Sequence, residues 1–245
     1  MRNILRRAAA FLAALTLMLA LSVQALALED ERDLTPLPDS FFDDAVIIGD
    51  SVSFTLQSYC EETGDLGDAL FFSERSFTLR GAVGGASPVW YQGRTYFIQD
   101  LLEELGRKKA ILMIGVNDIG QEGGVDVTMA MWETLCERIL EQNPDIQLFL
   151  QSSMPMYAST EHDGFTNDNI NYYNDCMREF CCAKGFVFID IADAFRNDEG
   201  SLEELYSADH YVHLNGEAAP LWVEQLRDPA NYSVDPRSLD HEESA

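Results

Sequence analysis

Four short runs of apolar, β-favouring residues restrict the fold of this chain more than any other feature. They are Ala45–Ile48, Ala110–Ile114, Ile146–Leu150 and Phe186–Ile189. A strand with one wet face alternates apolar and polar residues, so a run that is apolar nearly throughout belongs to a strand covered on both faces, as in a parallel sheet. A further strand is expected at Ala69–Phe72. Segments of helical period stand between the runs, at Ile98–Leu105, Val127–Gln142 and Asn169–Ala183, and a last helix is expected from about Glu217 to Leu226. Strand and helix alternating through short joints predict a doubly wound α/β sheet with helices on both faces.

The two ends of the chain read differently. Residues 1–27 open with Arg2, Arg6 and Arg7, continue through an apolar stretch from Ala8 to Val23, and close on Ala25-Leu26-Ala27. That is the layout of a cleaved signal peptide. The competing reading is a retained membrane anchor, but the apolar stretch is about 16 residues long and a spanning helix needs roughly 20. A secreted or extracytoplasmic location is therefore expected, with no stable membrane anchor after cleavage. Residues 28–44 are acidic, carry Pro36 and Pro38, and are expected as an extended lead-in. Residues 45–227 fit one domain. Residues 228–245, with Pro229 and Pro236, have no apolar period and are expected to be loose.

A formal net charge of −26 repels phosphate backbones and anionic headgroups, which argues against nucleic acid and anionic membranes as partners. The same excess serves solubility, and a monomer is expected. The five cysteines, Cys60, Cys136, Cys176, Cys181 and Cys182, form no CxxC pair and have no histidine nearby. They read as buried thiols rather than a zinc site.

Ligands of open α/β sheets bind beyond the carboxyl ends of the strands, which shortens the search for chemistry. The first strand ends in Gly49-Asp50-Ser51, followed by Val52, Leu56 and Tyr59 at helical spacing. Ser51 is therefore either a nucleophile exposed at a strand-to-helix turn or an ordinary helix cap. Gly115-Val116-Asn117-Asp118 ends another strand, and the Asn117 amide can donate to developing negative charge or simply make a turn. Of the four histidines, His241 falls in the tail and His162 in a polar, acidic stretch. His210 and His213 remain, in Asp209-His210-Tyr211-Val212-His213-Leu214-Asn215. There His213 can serve Ser51 as base, with Asp209 orienting it. A metal site from Asp209, His210 and His213 competes, but it lacks a supporting ligand set. Trp90, Tyr91, Met154, Pro155, Met156 and Tyr157 fall in or near strand-end loops, where they either line a pocket or pack.

Taken together, Gly49-Asp50-Ser51, Gly115-x-Asn117-Asp118 and the Asp-to-His loop ending in His213-Leu214-Asn215 resemble the SGNH/GDSL hydrolases over about Ala45 to Leu226, and are similar to exported Gram-positive members. The resemblance implies a flavodoxin-like three-layer α/β/α sandwich with a five-stranded parallel sheet, and hydrolysis of esters or thioesters without metal or cofactor. It places the nucleophile on Ser51, the orienting acid and base on Asp209 and His213, and the oxyanion hole on Ser51, Asn117 and a glycine N–H. Gly84 is the choice for that glycine, with Gly81 and Gly85 close behind. The family spaces acid and base as Asp-x-x-His, whereas Asp209 and His213 stand one residue further apart, a difference that a bulge can absorb. A small-molecule or polysaccharide ester is the expected substrate, first an acetylated carbohydrate and next a lipid. An O-acetyltransferase or a non-catalytic carbohydrate-binding protein is the alternative.

Overall fold

Residues 32–86 and 88–239 are described by the computed structural model; residues 1–27 and His241 lie outside them. The first apolar run forms β1 (Ala45–Gly49), buried along its length. One tight turn leads into α1 (Phe54–Thr63), then β2 (Leu70–Ser73) and α2 (Leu79–Gly84). A hairpin of β3 (Val89–Tyr91) and β4 (Arg94–Tyr96) precedes α3 (Ile98–Leu105) and β5 (Lys109–Met113). The single turn α4 (Val116–Ile119) is followed by α5 (Gly124–Gln142), β6 (Gln147–Gln151), α6 (Asn167–Lys184), β7 (Val187–Ile189) and α7 (Ala218–Arg227).

Five strands make one parallel sheet in the order β2-β1-β5-β6-β7. Among the sheet strands this is 2-1-3-4-5, the flavodoxin-like order that the resemblance implied. Helices α1 and α7 pack together, and α2, α3, α5 and α6 form the other layer. The order reverses at β1, whose last residue Gly49 is paired with Met113 of β5. That pairing sets the two candidate strand ends side by side.

The core holds large side chains such as Trp132, Trp222, Phe149 and Phe188. Tyr173 places a polar group inside it with both roles used: its buried hydroxyl accepts from Trp132 Nε1 at 2.6 Å and donates to the Ile114 carbonyl at 2.7 Å. Burying a hydroxyl without partners would cost roughly 1–3 kcal/mol. Cys60, Cys136 and Cys181 are buried free thiols as expected, while Cys182 is exposed.

Three segments depart from the sequence reading. In the lead-in, Leu37, Phe41 and Phe42 are buried, and Phe41 meets Phe149 and Tyr232 edge to face. Residues 228–245 are expected to be loose, but among the described ones residues 231–233 lie along the outer edge of β7. Asp190 N–H donates to Asn231 O, Ser233 N–H donates to Phe188 O, and Tyr232 is buried with its hydroxyl on Leu226 O at 2.6 Å. The physical reason is that an edge strand leaves a row of unpaired backbone groups to be covered. A covering segment needs only one or two apolar anchors and shows no period. The β3–β4 hairpin was also not foreseen; it turns through Gln92 and Gly93, both at positive φ.

Candidate active site

Gly49 ends β1 because a side chain cannot fit there: a Cβ would lie 2.3 Å from Ser53 Oγ. The next residue, Asp50, is extended and caps the turn Ser51–Ser53, its Oδ1 accepting from Val52 N–H at 3.0 Å. Ser53 Oγ donates to Asp50 O at 2.7 Å. The cap is thus Asp50, and Ser51 keeps its hydroxyl for another partner. As the first residue of the turn, Ser51 also has no carbonyl one turn back to accept its N–H. Burial pushes the Asp50 carboxyl up to about 7, against the opposing pull of the Val52 N–H and of His213.

The neighbouring strand end is shaped by Gly115, at φ 115°, where a Cβ would lie 2.5 Å from the Tyr173 hydroxyl. This left-handed step throws the chain into α4 and presents Asn117, which is half-buried. One hydrogen of its amide is used, on Phe77 O at 3.0 Å. Asp118 is buried and binds the start of α2, its Oδ2 accepting from Leu79 N–H at 2.7 Å and its Oδ1 from Arg80 N–H at 3.1 Å. It ties the turn after β5 to the start of α2.

The third part is the loop from Ser207 to Leu214, closed by Ala208 N–H on His213 O and anchored to α1 through Thr55 Oγ1 on Leu214 O at 2.7 Å. Asp209 Oδ1 accepts from Tyr211 N–H at 2.9 Å and from His213 N–H at 3.3 Å. Its Oδ2 lies 2.5 Å from His213 Nδ1, and His213 Nε2 lies 3.0 Å from Ser51 Oγ. The additional residue between Asp209 and His213 is taken up by a left-handed turn at His210, φ 53°. Partial burial raises the Asp209 carboxyl, but hydrogen bonds from the His213 ring and from the Tyr211 and His213 N–H groups outweigh it, leaving it below the usual range.

The competing metal arrangement is not formed: His210 turns its Nε2 to Glu204 Oε1 at 3.1 Å. No group of three potential ligands converges among the described residues.

The glycines do not join the row. Gly84 is the last residue of α2, whose N–H groups point back along the helix. Gly81 N–H is taken by Thr78 Oγ1 at 2.9 Å, and Gly85 N–H by Gly81 O. In the loop before that helix, Ser76 is exposed and left-handed at φ 54°, next to the Phe77 carbonyl that Asn117 binds. Sequence reading passed over it because a left-handed position normally favours glycine.

The lining residues also sort themselves. Met154, Pro155 and Met156 are buried packing, with Met154 closing a void of about 10 Å³ beneath Asp50 and Val212. Tyr91 packs on Phe72, Tyr157 donates to Glu204 Oε2 at 2.5 Å, and Trp90 is exposed. A depression of about 110 Å³ opens beside Asn117, lined by Val116, Gly120, Gln121, His162, Phe165 and Tyr211. Its aromatic side was not visible in the sequence, since His162 and Phe165 reach it only through the fold.

Fold and cleft define an α/β protein with its polar side chains gathered where the strand order reverses. The model of the GDSL-like lipase/acylhydrolase family matches residues 47–219, and the chain belongs to that family of ester hydrolases. Among solved structures it is similar to a GDSL-like lipase from Bacteroides thetaiotaomicron (15% identity, 89% of this chain and 96% of that one, TM-score 0.58). It is also similar to the catalytic domain of a Streptococcus pneumoniae peptidoglycan O-acetyltransferase (14% identity, 74% and 89%, TM-score 0.53). An acetyl xylan esterase is a third such structure (16% identity, 74% and 97%, TM-score 0.51). At these identities the likeness is one of fold. No curated protein matches the chain by sequence.

Proposed function

We propose that this chain is a serine esterase of the extracytoplasmic space, with acetyl esters of carbohydrates as its substrates. The observation that carries the reading is the unbroken row from Ser51 Oγ through the His213 ring to Asp209, at 3.0 and 2.5 Å. Ser51 Oγ attacks the ester carbonyl carbon and passes its proton to His213 Nε2, while Asp209 holds Nδ1–H and stabilises the imidazolium. The new oxyanion lies against Ser51 N–H and the second amide hydrogen of Asn117. Collapse of this intermediate breaks the bond to the alcohol, which leaves with the proton from His213. Water then adds to the acyl-serine by the same route and releases the acid.

The His213 and Asp209 side chains are 40% and 38% exposed, so water reaches the acyl-serine directly. Both an acetyl xylan esterase and a peptidoglycan O-acetyltransferase domain are built on this fold, so the fold leaves the acceptor open. The test is hydrolysis of p-nitrophenyl acetate and of acetylated xylan by the protein and by Ser51→Ala. Turnover that disappears in the variant supports the reading. Turnover equal to that of the parent refutes it.

A further inference from the structure

The depression beside Asn117 has a construction that the hydrolytic row does not need. Its outer wall is a tight turn in which His162 N–H donates to Phe165 O at 3.0 Å and Phe165 N–H returns to His162 O at 2.9 Å. Asn169 Nδ2 fixes the turn at Gly164 O at 2.9 Å. The turn sits directly on the loop after α4, for a Cβ on Gly120 would come within 3.1 Å of Phe165 Cβ. Three rings gather there. His162 and Tyr211 lie nearly parallel, 28° apart with centroids at 6.2 Å, and Phe165 meets them at 5.5 and 5.9 Å.

The polar groups are placed to complement those rings. His162 Nδ1 donates to the Thr160 carbonyl at 3.1 Å, so Nε2 is the ring nitrogen left for a ligand. Asn117 and Gln121 line the same depression with amides, and Tyr211 brings a hydroxyl. Flat aromatic faces beside neutral donors and acceptors suit a ligand with apolar C–H faces and a girdle of hydroxyls. A volume of about 110 Å³ is that of roughly three to four waters in bulk. It seats one face of a sugar ring and is too small and too polar for a long acyl chain. The acidic chain, with Glu161 and Asp163 flanking His162 in sequence, disfavours anionic sugars.

We propose that His162, Phe165, Tyr211 and Gln121 form a subsite for a neutral pyranose, which presents an ester substituent across Asn117 to Ser51. The proposal rests on the esterase reading for its orientation, and its binding component is separable from catalysis. The test uses Ser51→Ala protein titrated by calorimetry with xylotetraose and with chitotetraose, neither carrying an O-acetyl ester. At least one oligosaccharide binds, and Gln121→Ala and His162→Ala, both at exposed positions, each weaken it at least about fivefold, a loss of roughly one good hydrogen bond or ring contact. Binding of neither sugar, or equal affinity in the variants, overturns the subsite. Hydrolysis of p-nitrophenyl acetate by the parent protein reports separately on the esterase reading, so the two fail independently.

Discussion

Replacing Asp50 with Asn isolates the electrostatic character of the turn that carries Ser51. Asn retains an acceptor for Val52 N–H and cannot ionise. In the folded protein the Asp50 carboxyl titrates at about 7 against an ordinary 3.8, so folding holds its proton more tightly than the unfolded chain does. Below pH about 4 the group is protonated in both states, and the two proteins differ by a constant. From about 4 to 7 the unfolded chain ionises while the folded one does not, and the parent loses stability relative to Asp50→Asn at about 1.4 kcal/mol per pH unit. Above about 7 the difference levels off, some 4 kcal/mol from its acid value. Urea unfolding of both proteins at half-unit steps from pH 4 to 8 reads this directly, with the slope of the transition checked for constancy. A difference that stays flat across that range refutes the buried-carboxyl reasoning.

Other outcomes follow from the same geometry. Asn117→Ala lowers kcat on a short aryl ester by about 10²- to 10³-fold with little change in KM, since it removes a donor to the oxyanion and none to the ground state. Gly49→Ala forces a methyl group to within 2.3 Å of Ser53 Oγ; thermal unfolding shows a loss of about 1–3 kcal/mol, and kcat falls as Ser51 is displaced. Tyr232→Ala empties a buried site and orphans the Leu226 carbonyl, destabilising by about 3–5 kcal/mol in urea melts without lowering kcat at temperatures where the protein stays folded.

What was legible in the sequence and what was not divides along physical lines. The strands of the sheet stood out because Ala45–Gly49 and Lys109–Met113 are buried on both faces, which demands uninterrupted apolar residues. The β3–β4 hairpin did not, since Val89, Trp90 and Tyr91 alternate between buried and exposed over only three residues. Phe41, Phe42 and Tyr232 anchor the two flanking segments as isolated residues, and an isolated apolar residue in a polar stretch carries no period to detect. Of the candidate site, Ser51, Asn117 and the Asp209–His213 loop could be picked out in the sequence because each follows a strand end or stands just before the last helix. The ring cluster of His162, Phe165 and Tyr211 joins residues about fifty positions apart, a distance over which no local pattern speaks.

The left-handed step at His210 has a consequence for how such loops tolerate change in length. Asp209 and His213 meet because one carboxylate oxygen binds backbone N–H groups on both sides of Val212 while the other reaches the ring, so the carboxylate itself gauges the loop and the number of residues between is secondary. An inserted residue is harmless if it enters where the backbone can turn left and point its side chain outward, as His210 does toward Glu204. Motif spacing in this loop is therefore a proxy for a distance, and chains whose count is off by one belong in the search whenever a residue able to adopt positive φ stands beside the carboxylate.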